Sequence, residues 1–432
     1  MSAYPKFSTR GCAMLKIVHQ ICCGIDVHKK FVVATVGITN KQGVTDYVTR
    51  TFQTFTENLM QLRDWLAENN CEEVCMESTG KYWIPIFNIL EDTCRVFVAN
   101  PKYVKGIRGK KTDKRDSLWL CDLHKHGLVQ NSFIPPWRIR QVRDLMRYRY
   151  KLTNFKSSEK NRAQNSLTVS NIMLSSVVSD TFGKSSMRVV RHLLDDPTDT
   201  SFDVAPLLDK RMKATAEEVT KSIQGNLTKP QAEKISVCLD HMDEIDKHIA
   251  TVESAVLELA EPYMEQVKLL LTVPGIKDVF SAIGIIGEIG TDMSVFLSAR
   301  HLCSWAGLVP ANNESAGKKK SVRCARAGTY IKPLLVQCAH AAVKSKECPY
   351  FRVRYEQIAR RRGKKKAIIA IARMLLNCIY HMISRNEEFN YDLYRIENAP
   401  KPKTAKKTEL SKEDAIALLE SLGAQVILPD AA

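Results

Sequence analysis

The order of strand and helix signals over the first hundred residues constrains this chain more than any other feature. Short apolar runs fall at 16–26, 31–38, 48–52, 73–76 and 95–98, and helical spacing interrupts them at 55–67 and 82–90. Alternating runs bounded by turn residues read as strands, and the two interruptions as helices. The resulting order is strand, strand, strand, helix, strand, helix, strand. Three meandering strands followed by βα alternation predict a mixed sheet flanked by helices.

That order is characteristic of the RNase H-like fold, which polynucleotidyl transferases share with sugar-kinase and actin-type ATPases. On such a sheet the first and fourth strands are adjacent and parallel. Asp26 closes the first, in Gly24-Ile25-Asp26-Val27-His28, and Glu77 closes the fourth, in Met76-Glu77-Ser78-Thr79-Gly80. The two carboxylates should therefore meet at one end of the sheet. Lys111-Thr112-Asp113-Lys114-Arg115-Asp116 follows, and its i, i+3 spacing puts two more carboxylates on one helix face. Four converging carboxylates repel one another unless a cation sits among them. Hard divalent ions with oxygen ligands, Mg²⁺ or Mn²⁺, meet that need and stabilise phosphoryl-transfer charge. Taken singly, each residue suits a cap or a solvated ion pair; as an ordered set the four predict a metal site. His28 either touches a phosphate at that site or simply starts a turn. Cys121, His124 and His126 do not share one helix face, so zinc is not expected there.

Composition narrows the partner. The 432 residues, 44% hydrophobic, suffice for two or three domains with their own cores. Lys and Arg total 64 against 47 Asp and Glu, a net charge of +17, which favours a polyanion over an acidic metabolite. Nucleic acid is the leading candidate. The 13 cysteines are odd in number and lack a CxxC pair, as suits free thiols in a reducing cytosol. No apolar run approaches the roughly 18 residues of a spanning helix, and no signal-peptide core is evident. The expectation is a soluble, cytoplasmic, nucleoid-associated bacterial protein without a membrane partner.

Four segments follow from these patterns: the mixed-sheet domain at 16–135, a helical linker and coiled coil at 136–265, a mainly helical domain at 266–390, and a basic, largely disordered tail at 391–432. Residues 138–162 read as a basic helix, including Arg143 and Arg147, interleaved with Tyr148, Tyr150 and Phe155 and preceded by Trp137. Thr228-Lys-Pro-Gln231 has the form of a capping box with Pro in the first turn, so a helix should start there. Beyond it, Ile235, Cys238, Met242, Ile245, Ile249, Val252, Val256 and Leu259 recur at alternating spacings of 3 and 4. So narrow a seam suits a single partner helix. We expect that partner in another subunit, giving a dimer or tetramer through 235–259, with an intramolecular bundle as the alternative.

The third segment opens on Val273-Pro274-Gly275-Ile276, whose turn resembles a helix-hairpin-helix that could present amides to a DNA phosphate. Between 300 and 373 there are 18 Lys and Arg against Glu314, Glu347 and Glu356. A loop at 309–320 sets Ser315 among small residues ahead of Lys318, Lys319 and Lys320, with Arg323 beyond; by composition alone it is an ordinary basic loop. The run Arg360, Arg361, Arg362, Gly363, Lys364, Lys365, Lys366 lies between apolar helices, where binding to phosphate is the favoured role. Lys111, Lys114 and Arg115 extend the basic surface beside the carboxylates. The tail is Pro/Lys-rich at 397–411, with a short helix expected at 412–426.

Two motif groups in this order resemble the transposases of insertion sequence family 110. Gly24-Ile25-Asp26, Glu77-Ser78-Thr79-Gly80 and Lys111-Thr112-Asp113-x-x-Asp116 match that family's DEDD motif. Val273-Pro274-Gly275-Ile276, Ala306-Gly307-Leu308-Val309-Pro310 and Glu314-Ser315-Ala316-Gly317 match its second conserved domain. The resemblance covers about residues 18 to 385, the helical middle only loosely. It implies a RuvC-like DEDD domain, a coiled coil joining subunits and a C-terminal domain whose serine is the recombination nucleophile. By position that serine is Ser315, with Ser321 as the alternative register, since the family usually has Ser-Gly where this chain has Ser315-Ala316-Gly317. The resemblance further implies guidance by a structured RNA that pairs with donor and target DNA.

On this reading the chain is a DNA recombinase in which the carboxylate-bound cation positions a phosphate, Ser315 attacks it, and a phosphoserine conserves the bond energy for religation. A RuvC-like nuclease using water is the enzymatic alternative. A sugar-kinase-like phosphotransferase fits Gly24-Ile25-Asp26 but lacks a second phosphate loop. A non-catalytic nucleic-acid scaffold would keep all its activity without the carboxylates.

Overall fold

The computed structural model describes residues 15–78, 80–104, 112–310, 313–315, 318–321, 323–324 and 327–398. It divides into two compact units, with the boundary between Trp137 and Arg138. The expected role of Lys111, the expected disorder of 399–411 and the helix expected at 412–426 lie outside the described residues.

The first unit is built on strands β1 (Ile21–Val27), β2 (Phe31–Thr39), β3 (Thr45–Gln53), β4 (Glu73–Glu77) and β5 (Arg95–Ala99). Helices α1 (Thr56–Glu68), α2 (Trp83–Leu90), α3 (Pro101–Val104) and α4 (Asp113–Lys125) accompany them. The sheet order is β3-β2-β1-β4-β5. β1, β2 and β3 pair antiparallel, whereas β1–β4 and β4–β5 pair parallel. This is the mixed sheet that the strand–helix order predicts.

Each strand serves both faces, because successive side chains alternate. Ile25 and Val27 of β1, with Val74 and Met76 of β4, enter one core with Leu62 and Leu66 of α1 and Ile86 and Leu90 of α2. Cys75 and Ala99 point to the opposite face, where they meet Val104, Leu120 and Val129. Gly24 lies on that opposite face, and α4 runs directly over it. A Cβ at Gly24 would sit 2.2 Å from the Ser117 carbonyl oxygen and 2.3 Å from the Cys121 amide nitrogen, both helix backbone. Gly24→Ala should therefore lift α4 from the sheet and destabilise the first unit by about 1–3 kcal/mol or more, the usual cost of overpacking. Urea unfolding checks this, and an unchanged midpoint would contradict the close approach.

In the second unit α5 (Trp137–Val169) and α9 (Lys229–Ala260) form a long stem. Glu253 pairs with Arg149, Asp246 with Lys156 and Glu159 with His241, an order that makes the two helices antiparallel. The apolar seam of α9 thus has a helix of the same chain, α5, along it, which is the arrangement expected of the intramolecular alternative. Ile235, Cys238, Met242 and Val256 are buried, whereas Ile245, Ile249, Val252 and Leu259 are half-buried. One end of the stem carries a small helical head of α6 (Leu174–Val177), α7 (Lys184–Asp195) and α8 (Ala216–Ser222), sharing one core with Leu167 and Ile235. Thr228 is the N-cap of α9, as expected, but its side chain makes no capping bond; the reciprocal capping box is Thr215 with Glu218, on α8.

The remainder comprises α10 (Met264–Leu271), α11 (Val279–Ile289), α12 (Ala299–Trp305), the hairpin β6 (Asn313–Ser315) and β7 (Lys318–Ser321), α13 (Ile331–Lys344), α14 (Tyr350–Arg362) and α15 (Lys364–Arg385). The 22-residue α15 is long and apolar enough to span a membrane, which corrects the expectation that no apolar run nears that length. Its stripe of Ile371, Leu375, Leu376 and Ile379 is fully buried as the centre of this helical core. Arg373, Asn377 and His381 break the run in the sequence and conceal it. The start of the expected disordered tail is ordered: Tyr394 stacks on Phe351 and Phe389 and meets the Cys378 thiol at 2.7 Å.

Candidate active site

The register Ile25↔Met76 makes Asp26 and Glu77 the next residues on neighbouring parallel strands, at the same sheet end and on the face that α4 covers. Close passage of α4 over Gly24 then brings the first turn of that helix to the same place. Thr112 caps this turn by accepting a hydrogen bond from the Arg115 amide, and Asp113 and Asp116 occupy it. Acidic residues are favoured at a helix N-terminus, so the local chemistry suits the position.

His28 stands between the carboxylates. Its Nε2 lies 3.1 Å from Asp26 Oδ2 and 3.4 Å from Asp113 Oδ1. The ligating atoms of Asp26, His28 and Asp113 all fall within 4.8 Å of one another. His28 also starts the β1–β2 turn, donating its amide to the Phe31 carbonyl, and its ring packs on Phe31. The turn role weighed for His28 from the sequence is thus present, and the same ring also meets two of the carboxylates. The available signal was the i, i+2 spacing from Asp26, which directs both side chains to one side of an extended strand.

Burial raises the Asp26 carboxyl above the ordinary carboxylate range; Asp116 and Asp113 push the same way, and His28 opposes them. Like charges gathered at a half-buried position repel one another, and a cation among them would relieve that repulsion. The donor set, carboxylate oxygens with one imidazole, suits Mg²⁺ or Mn²⁺.

The expected nucleic-acid residues divide by environment. Lys114 and Arg115 are exposed on the first turn of α4. Arg143 and Arg147 turn inward. Arg143 donates to the carbonyl oxygens of Gly287 and Glu288, both at 2.8 Å, and burial pushes its guanidinium pKa down to about 10. Arg147 forms a two-pronged pair with Glu288 at 2.6 and 2.8 Å and lies over the Tyr330 ring. Both bind the C-terminal end of α11. Arg360, Arg361, Arg362, Lys364, Lys365 and Lys366 are all exposed around Gly363, whose φ of +85° makes the tight α14–α15 corner. None of the six forms an ion pair among the described residues. Arg323 is also exposed.

Ser315 ends β6 and pairs with Lys318, the first residue of β7, so it stands beside the hairpin tip; Lys319 pairs with Glu314 and Ser321 with Asn313 at the other end. Lys320 lies between them on β7. At the expected hairpin of 273–276, Gly275 has φ +95°, and a Cβ there would meet the Cys338 carbonyl oxygen of α13 at 2.3 Å. The following helix is capped by Asp278, which accepts from the Ser281 amide at 2.9 Å. One of its N-terminal amides is thus already served by a carboxylate.

Comparison with known proteins gives two family matches and two relatives. Residues 23–172 match a transposase model of the DEDD type, and residues 267–356 match the model described as transposase, IS116/IS110/IS902 family. The chain is 25% identical over 361 residues to the pilin gene-inverting protein of Moraxella bovis, covering 78% of this chain and 90% of that one. The protein of the same name from Moraxella lacunata is 24% identical over the same length and shares. The first matched segment contains the whole carboxylate cluster; the second contains Ser315.

Proposed function

We propose that this chain, which belongs to the IS116/IS110/IS902 family of transposases, rearranges DNA by cutting and rejoining strands at the Asp26–His28–Asp113 cluster. The convergence of those ligating atoms is the observation that carries the reading. Asp26, Glu77, Asp113 and Asp116 hold a divalent cation, Mg²⁺ or Mn²⁺, with His28 beside them. When bound, that ion supplies positive charge to the scissile phosphate. His28 keeps Asp26 and Asp113 close together and offers a hydrogen-bond donor toward a phosphate oxygen. Ser315 is the nucleophile: its Oγ–phosphorus bond forms as one phosphorus–oxygen bond to deoxyribose breaks, and the departing oxygen takes up a proton. Religation reverses those changes, so no ATP is required. The pilin gene-inverting relatives support rejoining as well as cutting.

Guidance by a structured RNA that pairs with donor and target DNA is part of the same proposal. The net charge of +17 and the exposed basic corner at 360–366 support a large polyanionic partner. Reconstitution with RNA and DNA from the flanks of the chain's own element tests the whole reading. Recombinant joints should require both nucleic acids; joints formed without RNA would remove the guide, and no joints in any mixture would remove the activity.

The α14–α15 corner is the proposed phosphate-facing surface of the second unit's long helices, because Arg149 and Lys156 of the basic helix pair with acids of α9, and Arg143 and Arg147 bind α11; exposed Lys114, Arg115 and Arg323 stay with it as candidates. Changing all six corner cations to Ala should flatten the plot of log affinity against log salt by up to about 0.9 for each phosphate that is no longer neutralised. An unchanged slope would place the interface elsewhere.

Association of copies through the stem is also proposed. Ile245, Ile249 and Val252 stay half-buried beside α5, and Phe155 of α5 is exposed. Ile245→Asp with Val252→Asp should lower the mass in light scattering while the chain remains folded. An unchanged mass would limit the seam to its partner within the chain.

A further inference from the structure

At the sheet end opposite the active site, three residues distant in sequence form a second ligand cluster. Glu73 opens β4, His124 lies in the last turn of α4, and His19 lies just before β1. Their ligating atoms fall within 4.8 Å of one another. Glu73 Oε2 lies 3.7 Å from His19 Nδ1 and 3.7 Å from His124 Nε2. The imidazole rings stack at 4.5 Å, and Phe97 packs on His124.

Two features of this cluster are unexplained by the protein alone. Glu73 Oε2 and His124 Nε2 are fully buried and have no hydrogen-bond partner among the described residues, and the His124 side chain is 1% exposed. Buried polar atoms are ordinarily satisfied. The separations are also too long for hydrogen bonds. They do suit donors sharing an ion, since two ligands at about 2.0–2.1 Å from a tetrahedral Zn²⁺ stand about 3.3 Å apart. Binding would draw the donors together by side-chain rotation from separations that all lie within 4.8 Å.

We propose that His19 Nδ1, Glu73 Oε2 and His124 Nε2 bind one Zn²⁺, separate from the catalytic cation. Two imidazoles and one carboxylate form a nitrogen-rich donor set that favours zinc over Mg²⁺. The surroundings are organised for it. Arg95 holds the other Glu73 oxygen, Oε1, at 2.9 Å, which fixes the carboxylate and leaves Oε2 facing the imidazoles. The amides of Val18 and His19 donate to the Lys125 carbonyl at 2.8 and 3.1 Å, which ties the His19 segment to the end of α4. Half-buried His19 and Glu73 leave the remaining coordination position on the side nearest solvent. Such an ion would fasten the last turn of α4 to the sheet, about 16 Å along the helix from Asp113. It is a positioning site for the helix that carries Asp113 and Asp116.

Zinc titration of the full chain, stripped with chelator and followed by competition with a chromophoric chelator, tests this. One Zn²⁺ should bind per chain, raise the melting midpoint and slow amide exchange in the last turn of α4. His19→Ala and Glu73→Gln should each bind on the order of 100-fold more weakly or worse, with unchanged circular dichroism. Should Glu73→Gln fail to fold, the half-buried His19 substitution decides alone. Asp26→Asn, which disables the proposed catalytic site, should bind Zn²⁺ as the wild type does. Three results would overturn the proposal: no stoichiometric Zn²⁺, binding indifferent to His19→Ala, or binding lost in Asp26→Asn. Because the readout is zinc binding and not recombination, the proposed activity could fail while this site stands, and the reverse.

Discussion

Asp26→Asn is expected to abolish strand exchange, with a loss of about 4 kcal/mol of transition-state stabilisation, on the order of 10³-fold in rate, or more. It should do so without weakening the fold. Asp26 is held in a half-buried position beside Asp113 and Asp116, and its carboxyl is harder to ionise in the folded chain than in the unfolded one. The metal-free folded state therefore binds more protons than the unfolded state, and stability falls as pH rises from the ordinary carboxylate value through the raised one. Asn removes that penalty. At neutral pH the metal-free Asp26→Asn protein should melt no lower than wild type, and Mg²⁺ should raise the midpoint of wild type more than that of the variant. Asp113→Asn and Glu77→Gln should lose activity in parallel, and Asp116→Asn similarly or somewhat less. Full strand exchange in Mg²⁺ with any two of the four changed would end the metal-site reading, as would a large drop in stability that accounts for the lost rate.

The same residues show why this carboxylate grouping is legible in the sequence and the His19–Glu73–His124 grouping at the opposite sheet end is not. Asp26 and Glu77 end apolar strands whose order fixes their adjacency, so the register follows once the strands are recognised. Gly24 adds a cue that becomes intelligible only with α4 in place, since its missing Cβ is the space that the helix backbone occupies. His19, Glu73 and His124 follow no such rule. They belong to a lead-in segment, a strand start and a helix end, and only the packed unit brings them together. Cys121, His124 and His126 do not share one helix face, whereas the Glu73 carboxylate that faces His124 comes from the strand beneath.

The second unit shows a different failure of one-dimensional reading. The α9 seam correctly signals a partner helix, yet periodicity on one helix cannot say which chain supplies the other. The deciding information lies in α5, whose Arg149 and Lys156 match Glu253 and Asp246 in antiparallel order. A charge run that reads as a nucleic-acid surface in isolation is partly the electrostatic complement of that seam. Arg143 and Arg147 are further examples, since their partners are the terminal carbonyls and the buried Glu288 of α11. At 360–366 the cations are exposed and form no ion pair among the described residues, so they stay available for the phosphate contact that composition suggests.

Ser315→Ala should retain RNA and DNA binding, since only one oxygen is removed, yet form no covalent protein–DNA adduct and no recombinant product. The serine ends β6 next to the hairpin tip and pairs with Lys318, so a backbone held by a β-ladder fixes its place while two residues separate the strands. A wild-type reaction quenched partway should yield DNA-linked protein that survives denaturant, and proteolysis should map the link to the peptide containing Ser315. Ser321 pairs with Asn313 at the opposite end of the same ladder, so the two serines are separable by mapping and by single substitution. Normal recombination by Ser315→Ala would falsify the assignment, and an adduct on Ser321 would move the nucleophile by six residues with the mechanism intact. Cleavage that depends on Asp26 and Asp113 but leaves no adduct on any serine would instead make water the attacking group. The carboxylate cluster would then account for the whole of the bond breaking, and the rejoining step would need a separate explanation.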